Sequence, residues 1–505
     1  PAPTGAGSQA GWRARLVSRH VDALIVGSGP GGAVSARVLA EAGLETLVVE
    51  EGDWVDPGAV ESYSVDQMQR QYRNSGLTVA LGRPSIAYTE GCGAGGGSEV
   101  NSGLYHRPSA ELLAAWSQRY SIEGLDSDAL APYHACVERE LSVAPWPAAE
   151  LPAPSEVLRR GAYALGWSGF DGPRWARYRS EGGTIRVEKQ TMTRTYLPKA
   201  MTAGAQLWTG ARVDRLVTER GRVTGVDVVR RSGRIQQHER VVADHVFVCA
   251  GATQTPALLQ RSGIRRNIGG NFSVHPTVKV VAEFDEELNS PHDLPTYQVK
   301  EFGSWLSFGG SASRPALIAL ALSENWRDFS AAADNWPCQT VYYAAIQSEG
   351  RGRVTAMPGF ADPLVTYRLT AGDGARLRSG LARLIHLMLA AGARKVYPSY
   401  AGAPLVTNRL DAVKAVSGFR PAAASVMTVH LTGTVPMGED ASRCGTDSFG
   451  RIRQLANLRV NDASLLPWAP GINPQGTVMA VAHRNVAKFL AEDVRSPSLS
   501  CAVGA

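Results

Sequence analysis

No stretch of the 505-residue sequence is long and apolar enough to cross a membrane. The richest run, Leu381 to Ala393, is interrupted by Arg383 and His386 and falls short of the roughly 20 apolar residues a spanning helix needs. The opening Pro1 to His20 lacks the apolar segment of a secretory leader. Cysteine is scarce: Cys92, Cys136, Cys249, Cys338, Cys444 and Cys501 stand far apart, with no C-x-x-C pair. That argues against a disulfide scaffold and a thiolate zinc site, and fits free thiols in a reducing compartment. A cytoplasmic protein is therefore expected. Charge of one sign is also lacking, since 52 basic and 46 acidic residues leave +6 with no block, and neither nucleic acid nor an anionic membrane is implied as partner. Lysine supplies only 7 of the 52 cations, a bias that reads as genomic base composition. With 44% hydrophobic and 19% charged residues the chain is globular, and its length suits two or three domains or one fold of interleaved segments.

The first informative stretch is Asp22 to Gly27, an apolar run ending in Gly27-Ser28-Gly29-Pro30-Gly31-Gly32. Val34, Val38, Leu39 and Ala42 then follow at helical spacing, Gly43 closes the helix, and Leu44 to Glu50 reads as a second strand. In such a β-α-β unit Gly27 and Gly29 let the backbone approach a pyrophosphate, Gly32 lets the helix lie close to the strand, and the helix N-terminus offers unpaired N–H groups. Glu50 is placed to accept from a ribose hydroxyl, which disfavours NADP; the motif does not separate NAD from FAD.

Three further stretches recur in order. A second glycine run spans Glu90 to Gly103, with Gly95, Gly96, Ser98 and Asn101. Ala243 to Gly251 reads as a strand, followed by a helix opened by Pro256. The last block runs from His430-Leu-Thr-Gly-Thr434 through Asp462 to Asn473-Pro474-Gln475, where apolar spacing predicts a helix starting near Asn473. Ala211 to Glu219, Arg222 to Arg230 and Arg240 to Cys249 read as successive strands, 351 to 370 as strand-turn-strand, and 371 to 392 as an amphipathic helix.

With Thr195 to Ala200 and Gly270 to Pro276, these motifs resemble the glucose-methanol-choline (GMC) oxidoreductase family over almost the whole chain. The style of the Asn473-Pro474 block is closest to the cholesterol oxidase and bacterial long-chain alcohol branch. The resemblance implies an α/β protein with a Rossmann-like FAD-binding domain and an interleaved mixed-sheet substrate domain. It places the FAD domain near 18–105, 206–280 and 430–495, the substrate domain near 106–205 and 281–429, and tails at 1–17 and 496–505. By resemblance, Gly27, Gly29, Gly32, Glu50, Gly95, Gly96, Ser98, Asn101, Val213, Gly251, Asp462, Pro474 and Gln475 hold FAD.

The implied chemistry is oxidation of an alcohol to a carbonyl, with hydride transfer to flavin N5 and reoxidation by O2 or another acceptor. His430 is expected to take the hydroxyl proton, since a neutral imidazole is the natural base near neutral pH. Asn473 is expected to bond the substrate oxygen and also to be an N-cap ahead of Pro474. The N-terminus of the following helix is expected to face flavin N1 and the C2 carbonyl, with Gly476 allowing close approach. His275, His106 and Cys92 receive no catalytic role. Members that tether FAD covalently do so through a His before the loop Asn; here that residue is Val100, so dissociable FAD is expected. A bulky apolar alcohol is the first substrate expectation, with a sugar or natural-product hydroxyl next and a flavin-containing lyase of the hydroxynitrile type as the alternative. Trp305, Phe308, Trp326, Tyr342 and Tyr343 suit core or pocket equally.

Overall fold

The computed structural model describes residues 19–493 apart from 183, 233–234 and 290–293. The tails 1–17 and 496–505, and Cys501, lie outside the described residues. Strand Arg19–Val26, helix Pro30–Glu41 and strand Thr46–Val49 form the expected β-α-β unit. Arg19–Val26 pairs in parallel with Thr46–Val49 on one side and with the second half of Ile235–Val248 on the other. Gln206–Trp208 and Leu458–Val460 add parallel strands outside these, and Ala211–Glu219 and Arg222–Ser232 extend the sheet as an antiparallel meander. Parallel strands are covered on both faces, which is why they read as unbroken apolar runs. Alternate residues part company accordingly: Leu24, Val26, Leu47 and Val49 join one core cluster, whereas Ala23, Ile25 and Val48 pack with Leu39 and Phe489 in another.

A second sheet of nine strands is mixed and centred on Thr277–Glu283, Gln339–Ile346 and Leu306–Gly310. Its two faces differ. Val278, Val280, Phe308, Tyr342 and Ala344 pack with Leu381, Leu384 and Ile385 of helix Ala371–Ala390. That helix opens with a capping box in which Thr370 and Asp373 satisfy each other's backbone N–H. Residues between them in sequence, Thr277, Lys279, Ser307, Tyr343 and Ala345, face the other way and line a cavity. The five aromatics of unsettled role are thereby sorted: Phe308 and Tyr342 are core, Trp305 packs partly buried against it, Trp326 is exposed, and Tyr343 lines the cavity.

Two details depart from expectation. Pro256 does not open its helix, which runs Gly251–Arg261 with Pro256 inside. Proline there leaves the Ala252 carbonyl without an N–H donor, and the Thr434 hydroxyl donates to it instead, at 2.7 Å. The segment 106–205 is also divided. Helices Ala110–Tyr120 and Ser127–Glu140 bury Leu113, Trp116 and Leu130 in the core of the nucleotide sheet, while strand Gly169–Asp171 joins the nine-stranded sheet. Conversely, Val79–Ala80 and Ile86–Tyr88, inside 18–105, belong to the nine-stranded sheet. Each element buries its apolar stripe against the nearest sheet, whatever its place in the chain.

Candidate active site

A cavity of about 410 Å³ is lined from both sheets. Of the residues singled out in the sequence, Gly27, Gly29, Glu50, Gly96, Asn101, Val213, Gly251, His430, Asp462, Asn473, Pro474 and Gln475 line it. Gly32, Gly95 and Ser98 do not; they support it. A Cβ on Gly32 would stand 2.0 Å from the Gly27 carbonyl oxygen, so glycine is what lets the helix sit on the turn. Ser98 donates to the Gly95 carbonyl at 2.8 Å and accepts from the Met192 amide at 3.0 Å, fixing the second glycine loop.

The nucleotide side is built mainly from backbone. Helix Pro30–Glu41 begins at Gly29 with no side-chain cap, leaving its first N–H groups to a ligand. A Cβ at Gly29 would meet nothing nearer than the Gly96 Cα at 4.0 Å, so the turn is open for a phosphate to approach. Gly27 serves another purpose: at φ +94 its missing side chain makes room for the Cys249 carbonyl, which a Cβ would approach to 2.6 Å. Glu50 accepts from the Ser28 amide (2.9 Å) and hydroxyl (2.7 Å) through Oε2 and from the Gly52 amide (2.9 Å) through Oε1. Burial pushes its carboxyl above the usual range, and one acceptor position remains on Oε1 for a ribose hydroxyl. Asp462, at the end of the adjacent strand Leu458–Val460, accepts from the amides of Gly251 (2.9 Å) and Ser464 (2.8 Å) and so caps helix Gly251–Arg261. Asn101 donates to the Gln475 amide oxygen at 2.7 Å, and Lys189 pins its loop by donating to the Glu99 and Asn101 carbonyls. Val213 contributes from an irregular point in its strand, where the register shifts before Arg215. Arg73, which sequence reasoning missed for want of any motif, pairs with Glu51 (2.9 Å), Glu90 (2.7 Å) and Asp362 (3.1 Å). This open glycine cradle, with an acid at the ribose position, fits a flavin dinucleotide.

The substrate side is built from side chains brought together by register. Val274 pairs with Leu431 and Ser273 with Thr432 in an antiparallel ladder, so His275 and His430 stand opposite each other. Their Nδ1 atoms are 2.8 Å apart. His275 Nε2 in turn accepts from the Gly471 amide at 2.6 Å, and the Asn473 amide lies with Nδ2 3.3 Å from His430 Nε2. These bonds fix the protons. A neutral imidazole has one N–H; because His275 Nε2 accepts, its proton sits on Nδ1 and is donated to His430 Nδ1. Neutral His430 therefore carries its proton on Nε2, and Asn473 must turn its amide oxygen to that N–H. Burial first, then the charges of His275, His106 and Lys300, hold His430 well below its ordinary value, and burial takes His275 down to about 3. Both rings are neutral at neutral pH. His275, expected from the sequence to be structural, is thus in direct contact with His430.

Asn473 also differs from expectation. The Val478 amide donates to the Pro474 carbonyl at 2.9 Å, so helix Gln475–Asp493 is opened by Pro474 and Asn473 lies one residue outside it. Its side chain faces His430 instead of capping the helix. Gly476 makes room for Tyr105, whose ring a Cβ would approach to 2.5 Å. His106 is half-buried with its ring edge-on to Phe170, its imidazole pushed down to about 4 chiefly by burial of its nitrogens, and does not line the cavity. Cys92 is also absent from the lining; burial is the main reason its thiol is pushed up to about 12. Lys279 and Lys300, singled out by nothing in the sequence, both line the substrate side.

Models of the GMC oxidoreductase family match residues 68–277 and 348–482, and a model of an FAD-binding domain matches residues 20–62. The chain is 39% identical to the GMC-type oxidoreductase y4nJ of Sinorhizobium fredii over 96% of its own length and 97% of that protein. It is 24% identical to the long-chain-alcohol oxidase FAO3 of Arabidopsis thaliana, over 92% of this chain and 67% of that one. The crystal structure of pyridoxine 4-oxidase from Mesorbium loti shares the fold, with a TM-score of 0.70 at 21% identity, covering 93% of this chain and 99% of that one. Among the described residues no helix is long and apolar enough to cross a membrane. The glycine cradle, the ordered motifs and the relatives converge, and the chain belongs to the GMC oxidoreductase family as an FAD-dependent oxidoreductase.

Proposed function

We propose that this protein oxidises the CH–OH group of a small-molecule alcohol to a carbonyl, with the hydroxyl proton taken by His430 and the electrons passed on to O2 or another acceptor. The observation that carries this reading is the line of His275, His430 and Asn473 on the cavity wall. FAD, held by Gly29, Glu50, Gly96, Asn101, Val213, Gly251, Asp462, Pro474 and Gln475, supplies the hydride acceptor. Its attachment is noncovalent in this reading, because Val100 stands where a tethering His would be and the Cys92 thiol is held protonated.

In the resting pair His430 Nε2–H donates to the Asn473 amide oxygen; when substrate binds, the hydroxyl oxygen takes over that N–H and is oriented by it. Acting as a base requires the other tautomer. The bridging proton passes from His275 Nδ1 to His430 Nδ1, His430 Nε2 releases its proton to solvent, and His275 Nε2, giving up the Gly471 bond, takes one from solvent, so that each ring stays neutral. The lone pair freed on His430 Nε2 takes the hydroxyl proton, and His275 supports the imidazolium that results. Asn473 has no basic lone pair; its amide holds the substrate oxygen in place.

Rapid mixing under nitrogen tests the assignment. His430→Ala should slow bleaching of the flavin by an alcohol by about 10²- to 10⁴-fold, the usual range for a general base, with FAD retained. Bleaching as fast as in the wild type would remove His430 from the chemistry.

A further inference from the structure

We propose that the alcohol taken by this site carries a second hydroxyl group, which Gln298 and Tyr343 hold. The inference rests on the reading of the cavity as an alcohol-oxidising site and adds the substrate class, a diol or polyol. Strand register brings the two side chains together. Tyr343 pairs with Gly309, and Gly309 pairs with Gln298 on the next strand, so the three form one row across Gln339–Ile346, Leu306–Gly310 and Tyr297–Val299. Their neighbours Tyr342, Phe308 and Val299 are core, so the row faces the other way, where Tyr343 and Gln298 line the cavity. Gly309 brings no side chain, and the Tyr343 ring lies over it: a Cβ there would stand 2.5 Å from the phenol oxygen. The tyrosine hydroxyl is thereby carried across to Gln298, close enough for the amide to affect its ionisation.

The row is short of hydrogen-bond partners. Gln298 is 4% exposed, and its Oε1 is buried with no partner among the described residues. His106 also stands beside the Gln298 amide, and both of its ring nitrogens are buried without a partner. Burial is the main reason the Tyr343 phenol is pushed up to about 12, so at neutral pH it keeps its proton. The row therefore offers an O–H donor at Tyr343 and an acceptor at Gln298 Oε1. A hydroxyl accepts and donates at once, so a single hydroxyl on the ligand answers both. An ammonium could only donate and a carboxylate only accept, and an alkyl chain would seal both groups from water with no partner, which is costly. The row also lies near the histidine pair. Gln298 is two residues from Lys300 on one face, about 7 Å by strand rise. Lys300 reaches the Gly471 carbonyl at 3.4 Å, and the Gly471 amide donates to His275. His106, beside Gln298, is in turn close enough to His430 to affect its charge. The second hydroxyl thus lies a short chain or a sugar ring away from the one that is oxidised. Of the substrates expected from the sequence, the sugar or natural-product alcohol is favoured over the bulky apolar one.

The test compares hexanol with the hexanediol that has a hydroxyl at each end. Binding of both is measured by anaerobic calorimetry on the dithionite-reduced holoenzyme, which has no oxidised flavin left to turn them over. The wild type should bind the diol about tenfold more tightly, as expected for one or two added hydrogen bonds. Gln298→Met and Tyr343→Phe, which keep the size of the side chain and remove its polar atoms, should each abolish most of that preference. Gly309→Ala should do the same with both polar groups present, because its Cβ displaces the phenol oxygen. Retained flavin absorbance and melting temperature show that a variant is folded, and any one folded variant decides. In steady state the diol should lose its advantage in KM rather than in kcat. Equal binding of the two alcohols by the wild type, or a preference that survives in the folded variants, would overturn the inference. Bleaching by hexanol alongside that result would leave the oxidation reading intact. A Gln298-dependent preference without bleaching by any alcohol would support the second-hydroxyl site and remove the oxidation reading instead.

Discussion

The two sides of the cavity are built on opposite principles. On the nucleotide side every acid is engaged: Glu50 by Ser28 and Gly52, Asp462 by Gly251 and Ser464, Glu51 and Glu90 by Arg73. On the substrate side two imidazoles share one bridging proton, and the Asn473 amide faces the second of them. The first arrangement is rigid and waits for a ligand that needs shape, amides and one acceptor. The second keeps a proton that can be on either ring, which is what a site needs when its ligand gives up a proton.

This contrast can be broken from either side. The largest effect expected on the nucleotide side comes from Glu50→Lys, which removes the ribose acceptor and the partner of Ser28 together. FAD affinity, measured by titration into apoprotein, should fall by roughly ten- to a hundredfold. Unchanged affinity would place the ribose elsewhere.

On the substrate side, His275→Gln should slow flavin bleaching by about tenfold, in the range for losing a partner that sets a histidine's tautomer. It should also change the pH profile. In the wild type both imidazoles are neutral well below pH 6.5, so no histidine step appears on bleaching across the neutral range. The charge of His275 is one cause of the lowered His430 value, and removing it lets that value rise, so the variant should lose rate as pH falls. A variant that is slower but still flat with pH would reduce His275 to a packing role.

The smallest effect concerns Asn473. Because Pro474 opens the helix, Asn473→Ala should leave the melting temperature unchanged while weakening substrate binding modestly. A drop corresponding to about 1 kcal/mol would instead restore the capping role read from the sequence.

How much of this was legible depended on the range of the interactions. The β-α-β unit, the meander strands and helix Ala371–Ala390 follow from local periodicity and turn residues, and the structure places them within a few residues of expectation. His430 and Asn473 were reached through motif resemblance. His275 lies in a resembling motif too but was given no catalytic role, because its contact with His430 arises from the pairing of strands 155 residues apart. Pro256 misled for the same reason: the hydroxyl that satisfies the carbonyl it leaves free is 182 residues away. The alternation in Thr277–Glu283 already turns Lys279 away from Val278 and Val280. Which face is core, however, is decided by the helix that covers it, 371–390, and no local pattern contains that information.

The most direct measurement is an anaerobic titration of the holoenzyme with an alcohol it accepts, following flavin absorbance and carbonyl product together. One equivalent of alcohol should bleach one equivalent of flavin and yield one of carbonyl, the bleached state lasting until O2 or another acceptor is admitted. Carbonyl formed while the flavin stays yellow would contradict alcohol oxidation and point to lyase chemistry on the same fold.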